Sequence, residues 1–250
     1  MMDSGMLLDS RYDVVRNRTY LALDVPSASE ALALVERFGA GVTGYKVGLE
    51  LYNAAGRSVV ETLAKLGKRI FLDIKLHDIP NTVAGALRAL KDLPVEMVNV
   101  HTLGGLEMLC AAKSAWEDVE QPPLLIGVTV LTSLSEEDVS LLGVHGGLTA
   151  WSRRLLSLAD EAGLDGVVLS ASELPLVAET IKRPFVRVVP GVRPLQADTY
   201  DQQRIATPLQ AIEKGADHLV LGRGVLSQSN PLVALQRVWD EMRVGLGEGV

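Results

Sequence analysis

The feature that most restricts the fold of this 250-residue chain is an eightfold alternation of short β-rich runs with longer helix-patterned stretches. The β-rich runs fall at residues 20–23, 44–47, 70–75, 97–100, 124–128, 166–169, 186–189 and 217–221. Helical periodicity occupies residues 28–38, 50–66, 82–90, 106–115, 148–162, 172–180 and 208–213 between them, and 231–243 closes the chain. Strands that alternate with helices pair in parallel and are covered on their outer face. Eight such units at this length predict a (β/α)8 TIM barrel, an α/β fold forming one domain over residues 1–250. Residues 1–19, ahead of the first strand, are left as an extension free to flex. The competing arrangement is an open doubly wound sheet.

Composition narrows the partners. A hydrophobic content of 48% supports one large core, and the formal charge of −7 argues against nucleic acid or an acidic membrane surface, both of which call for a basic face. Asp3 and Asp9 interrupt the mildly apolar start, so no signal peptide is expected, and no segment approaches the roughly 18 apolar residues of a membrane span. The one cysteine, Cys110, has no internal partner, which fits a reducing cytoplasm; its helical setting reads as a core thiol.

Within the β-rich runs, the two-residue period separates polar from apolar side chains. Leu21 and Leu23 oppose Ala22 and Asp24; Tyr45 and Val47 oppose Lys46; Leu72 and Ile74 oppose Asp73 and Lys75; Val98 and Val100 oppose Asn99 and His101. Asp24, Lys46, Asp73 and Lys75 therefore converge at one end of a barrel, with Asn99 and His101 as further members. A barrel interior is packed, so such charges belong at its mouth. Ordinary ion pairs at strand ends would explain any one of these couples. Four desolvated charges are costly, however, and apolar replacements would often be more stable, so the group as a whole points to function.

A lysine flanked by carboxylates is held as an ammonium, which suits it to stabilise a carbanion and protonate it rather than to form a Schiff base. At an effective dielectric near 20, a unit pair about 4 Å apart is worth about 4 kcal/mol, roughly a thousandfold in rate if felt only in the transition state. The aspartates offer Mg²⁺ an alternative role.

A second constellation lies in the last third of the chain. Pro190-Gly191-Val192-Arg193-Pro194 follows the seventh run and Leu221-Gly222-Arg223-Gly224 the eighth. Loops after the last two strands of a barrel often cradle phosphate through glycine N–H groups, and arginine adds a bidentate grip. Residues 195–207 between them are polar and aperiodic, as expected of a lid or of a plain surface loop.

These residues carry a resemblance. From Leu21 to Pro231 the chain resembles the orotidine 5'-monophosphate decarboxylase family, bacterial type. The motifs are Leu23-Asp24-Val25-Pro26, Tyr45-Lys46-Val47-Gly48, Phe71-Leu-Asp-Ile-Lys-Leu-His-Asp-Ile-Pro-Asn-Thr82, Val100-His101, Leu131-Thr132-Ser133, Pro190 to Pro194, Asp201-Gln202, Ala206-Thr207-Pro208 and Gly222-Arg223. The resemblance implies decarboxylation of orotidine 5'-monophosphate to UMP in de novo pyrimidine biosynthesis, without cofactor or metal. It makes Lys75 the proton donor, places Asp73 beside the substrate carboxylate, and gives Lys46 and Asp24 the ribose hydroxyls. Thr132 is implied at the nucleotide, with Arg193, Gln202, Gly222 and Arg223 at its phosphate. Asp78, with Ile79 and Thr82, is implied to enter the neighbouring subunit's site, so that Lys75, Asp73, Lys46 and a partner's Asp78 do the chemistry in a homodimer.

Gly224 departs from the family, which often has proline after that arginine, and is expected to loosen the turn. His77, His145 and His218 read as structural, and His101 as a packing group or a site wall. The nearest rivals are Mg²⁺-dependent sugar-phosphate lyases with the same barrel and an Asp-x-Lys-x-x-Asp motif. They are expected to carry an acidic metal ligand where this chain has Lys46. A nucleotide-sensing barrel without turnover is the non-enzymatic alternative.

Overall fold

The computed structural model describes residues 7–193 and 206–248. Eight parallel strands among them close in sequence order: β1 (Thr19–Leu23), β2 (Gly44–Gly48), β3 (Arg69–Leu76), β4 (Met97–His101), β5 (Leu124–Val128), β6 (Gly166–Val168), β7 (Val186–Pro190) and β8 (His218–Leu221), with β8 pairing back onto β1. The sheet is closed, which rules out the doubly wound alternative. The helices in chain order are α1 (Asp13–Asn17), α2 (Ala28–Phe38), α3 (Leu49–Ala55), α4 (Arg57–Lys65), α5 (Pro80–Ala89), α6 (Gly105–Ser114), α7 (Glu136–Leu141), α8 (Gly147–Glu161), α9 (Leu174–Thr180), α10 (Pro208–Glu213), α11 (Arg223–Leu226) and α12 (Pro231–Gly245).

Side-chain alternation sorts the strands as the sequence predicts. Leu21, Leu23, Tyr45, Val47, Leu72, Val98, Val100, Leu219 and Leu221 join the large core under the helices. Tyr20, Ala22, Phe71, Met97, Ile126, Val188 and Val220 form a smaller cluster of their own inside the barrel. At the amino ends of the strands the Tyr20 hydroxyl donates to Glu96 at 2.6 Å, and Arg69 pairs with the same carboxylate at 3.0 Å. This floor is a polar network, whereas the cavity lies at the other end.

Helix boundaries follow local chemistry. Ser27 caps α2 by accepting the Glu30 N–H, and Pro80 opens α5, where a missing N–H costs nothing. The helix expected over 50–66 is two, because Gly56 takes φ +63° and separates α3 from α4. The sequence reading missed α7, although Ser135 and Asp138 form a reciprocal capping box there.

Two expectations are corrected. The extension drawn at residues 1–19 packs from Leu7 onward: Leu7, Tyr12 and Val15 are buried, the Tyr12 ring lies 5.5 Å from Trp239, and its hydroxyl donates to Asp240 at 2.7 Å. Cys110 is exposed rather than in the core, since α6 buries Met108, Leu109 and Ala112 on another face.

Candidate active site

At the carboxyl ends of the strands lies a cavity of about 240 Å³, lined by Asp24, Lys46, Asp73, Lys75, Thr132, Arg193, Gly222 and Arg223 among others. Eight side chains or turns singled out in separate stretches of sequence thus meet in one place. The inner wall is a chain of alternating charge. Lys46 Nζ donates to Asp24 Oδ1 at 2.9 Å and lies 3.3 Å from Asp73 Oδ2; Lys75 Nζ donates to the other Asp73 oxygen at 2.6 Å. Asn99 adds an N–H to that same oxygen at 2.7 Å.

Burial works against both Lys46 and Asp73 being charged, and the neighbouring charges overcome it. Asp73 and Asp24 hold the Lys46 ammonium above the ordinary lysine range, while Lys46 and Lys75 hold the Asp73 carboxyl below the ordinary carboxylate range. Access to the cavity is uneven. The side chains of Lys46 and Asp73 are 10% and 12% exposed, that of Lys75 is 31% and that of Asp24 58%, so Lys75 is the more open of the two ammonium groups in the chain.

The network demands space. A Cβ on Gly48 would stand 2.9 Å from Lys46 Nζ and 3.2 Å from Asp24 Oδ1, so glycine ends β2 because the charged groups occupy the place of its side chain. Burial, helped by His77 and Lys75, pushes His101 down to about 4, which leaves a neutral imidazole at pH 7. Its Nδ1 accepts the Leu103 N–H at 3.3 Å, and its ring stacks on exposed His77 at 5.5 Å. Half-buried His218 packs edge-on against Tyr20 within the barrel.

Opposite the charge chain, Arg193 is buried and Arg223 is exposed beside Gly222. The Arg193 N–H donates to the Ala206 carbonyl at 3.0 Å beside a parallel bridge from Val192 to Ala206, so the chain returns next to where it leaves. Gln202 and residues 195–205 of the expected lid lie outside the described residues; Thr207 caps α10. Gly224 is buried, and a Cβ there would sit 3.2 Å from Arg193 Cγ, so glycine makes room for the arginine stem.

Asp78, Ile79 and Thr82 do not line the cavity. They stand exposed between β3 and the first turn of α5, and Asp78 Oδ1 accepts the Ile79 N–H at 2.6 Å. Sequence reasoning placed Asn99 near the site without a role, named Gly48 only as the end of a motif, and gave no signal for the backbone of β3. That strand is irregular: its register on β4 shifts between Leu72 and Leu76, and Lys75 takes φ +46°.

Comparison with known proteins gives the family and supports the fold. The model of the Orotidine 5'-phosphate decarboxylase / HUMPS family matches residues 17–238. The orotidine 5'-phosphate decarboxylase of Nitrosococcus oceani is 44% identical over 227 residues, 91% of this chain and 98% of its own. That of Alkalilimnicola ehrlichii is 46% identical over 226 residues, 90% of this chain and 96% of its own. The crystal structure of orotidine 5'-phosphate decarboxylase from Lactobacillus acidophilus superposes with a TM-score of 0.78 at 32% identity, covering 90% of this chain and 98% of that one.

Proposed function

The chain belongs to the orotidine 5'-phosphate decarboxylase / HUMPS family, and from that premise we propose how it works as a carboxy-lyase converting orotidine 5'-monophosphate to UMP in pyrimidine biosynthesis. The bond from C6 to the carboxylate breaks with both electrons left on C6, and CO2 departs. The Lys75 ammonium stabilises that carbanion and gives it a proton, and the amine then recovers one from water. Asp73 orients Lys75 and faces the departing carboxylate. Lys46 and Asp24 hold the ribose, Thr132 contacts the nucleotide, and Arg193, Gln202, Gly222 and Arg223 take the phosphate.

The observation that carries this reading is the Lys75 amine, 2.6 Å from Asp73 and the more exposed of the two lysines in the charge chain. Lys46 stands between the Asp24 and Asp73 carboxylates, where a metal-dependent sugar-phosphate lyase would need a ligand for a cation, which favours chemistry without metal or cofactor. After exhaustive chelation the purified protein is expected to keep its full rate of orotate absorbance loss. Loss of the rate on chelation, with recovery on adding Mg²⁺, would support the lyase-like alternative instead.

The same reading makes the protein a homodimer with shared sites. Ile79 is 67% exposed although large and apolar, and it adjoins Asp78 on the segment assigned to the neighbour's site. No helix among the described residues is long and apolar enough to cross a membrane. A cytoplasmic location suits the biosynthetic role and the lone cysteine, and predicts that the activity fractionates with the cytosol.

A further inference from the structure

Asn99 is fully buried on β4, and the decarboxylation chemistry gives it no step. Its two polar atoms meet two parts of the catalytic segment. Nδ2 donates to Asp73 Oδ1 at 2.7 Å, and Oδ1 accepts the backbone N–H of Lys75 at 2.8 Å. The second bond forms where β3 departs from its ladder: Leu72 pairs with Val98 and Leu76 with Val100, so β3 advances by four residues while β4 advances by two. Within that bulge Lys75 sits at φ +46°, the positive-φ non-glycine residue among the described residues. A side chain with a Cβ disfavours this conformation, and a partly buried N–H turned out of the ladder needs a new acceptor. Asn99 supplies it.

The orientation of the amide is fixed by chemistry. Reversed, its NH2 would face the Lys75 N–H and its carbonyl would face the Asp73 carboxylate. Asparagine offers a donor and an acceptor from one short planar group; an ionised aspartate offers only acceptors, and leucine neither.

We propose that Asn99 is a positioning residue that ties the left-handed backbone of Lys75 to the Asp73 carboxylate and so aims the Lys75 amine into the cavity. The inference rests on Lys75 being the proton donor. It is tested by measuring kcat and KM for orotidine 5'-monophosphate in Asn99→Leu, Asn99→Asp and Lys75→Ala from about pH 5.5 to 8.5, with UMP binding and melting as checks of folding.

Asn99→Leu is expected to lower kcat about 100-fold while KM stays within about threefold, because misaimed chemistry is lost and ligand contacts are kept. Asn99→Asp should behave in an opposite way to a simple packing defect. Ionised, it repels Asp73; protonated, its O–H donates to Asp73 and its carbonyl accepts the Lys75 N–H, as asparagine does. Its kcat relative to wild type therefore rises as the pH falls. A relative kcat for Asn99→Asp that is flat or falls with decreasing pH overturns the inference. So does a kcat within about threefold of wild type in Asn99→Leu, which decides the matter if the aspartate variant does not fold. Near-normal turnover in Lys75→Ala would instead remove the reading beneath it.

Discussion

Residues 71–83 contain two halves that the fold treats in opposite ways. Asp73 and Lys75 turn into the cavity and are satisfied within the chain, by each other at 2.6 Å, by Lys46 at 3.3 Å and by Asn99. Asp78, Ile79 and Thr82 face outward, with Asp78 bonded to the N–H of its own neighbour and Ile79 67% exposed. Under the proposed dimer, the contrast teaches how one short segment would serve two surfaces. Charges that neutralise one another can be buried and kept close to a reacting atom. An apolar side chain displayed beside a carboxylate gains by being covered, and a second subunit is what covers it in this account.

If the halves divide the work this way, truncating them should have unequal effects. Lys75→Ala should lower kcat by about 1000-fold or more, the scale of one desolvated charge acting in the transition state. It should still fold and bind UMP, because Asp73 keeps Lys46 and Asn99, so turnover and melting measured together separate chemistry from stability. Asp78→Ala should cost less, about 10- to 100-fold in kcat/KM, without loss of folding. Full activity in that variant would reduce the second half to ordinary surface and break the comparison. Ile79→Ala should have the smallest effect, about 1–2 kcal/mol of lost subunit affinity, seen as activity that falls on dilution at concentrations where wild type holds.

Much of the site was legible because the period-2 pattern places a residue on a strand face whatever the rest of the fold does. Ala22, Lys46, Asp73 and Asn99 face inward for that reason, while Leu21, Val47 and Leu72 face the helices. The bulge at Lys75 was not legible. Its cause is a hydrogen bond from a strand distant in sequence, and no glycine marks the left-handed position. Gly48 was hidden for a similar reason, since only the convergence of Lys46 and Asp24 shows that a side chain has no room there. The short helix α7 had a readable cap in Ser135 and Asp138, but its six residues carry too little periodicity to announce themselves. Packing of Tyr12 depends on Trp239 and Asp240 at the other end of the chain, which local pattern cannot reach.

The division of the segment between two subunits is tested most directly by mixing Lys75→Ala with Asp78→Ala under conditions of proven subunit exchange. Each alone is impaired, yet random exchange of equal amounts makes half the dimers mixed, each with one intact site of two. The account predicts recovery to about a quarter of wild-type turnover. Turnover no higher than the mean of the two parents, with exchange demonstrated, would contradict it.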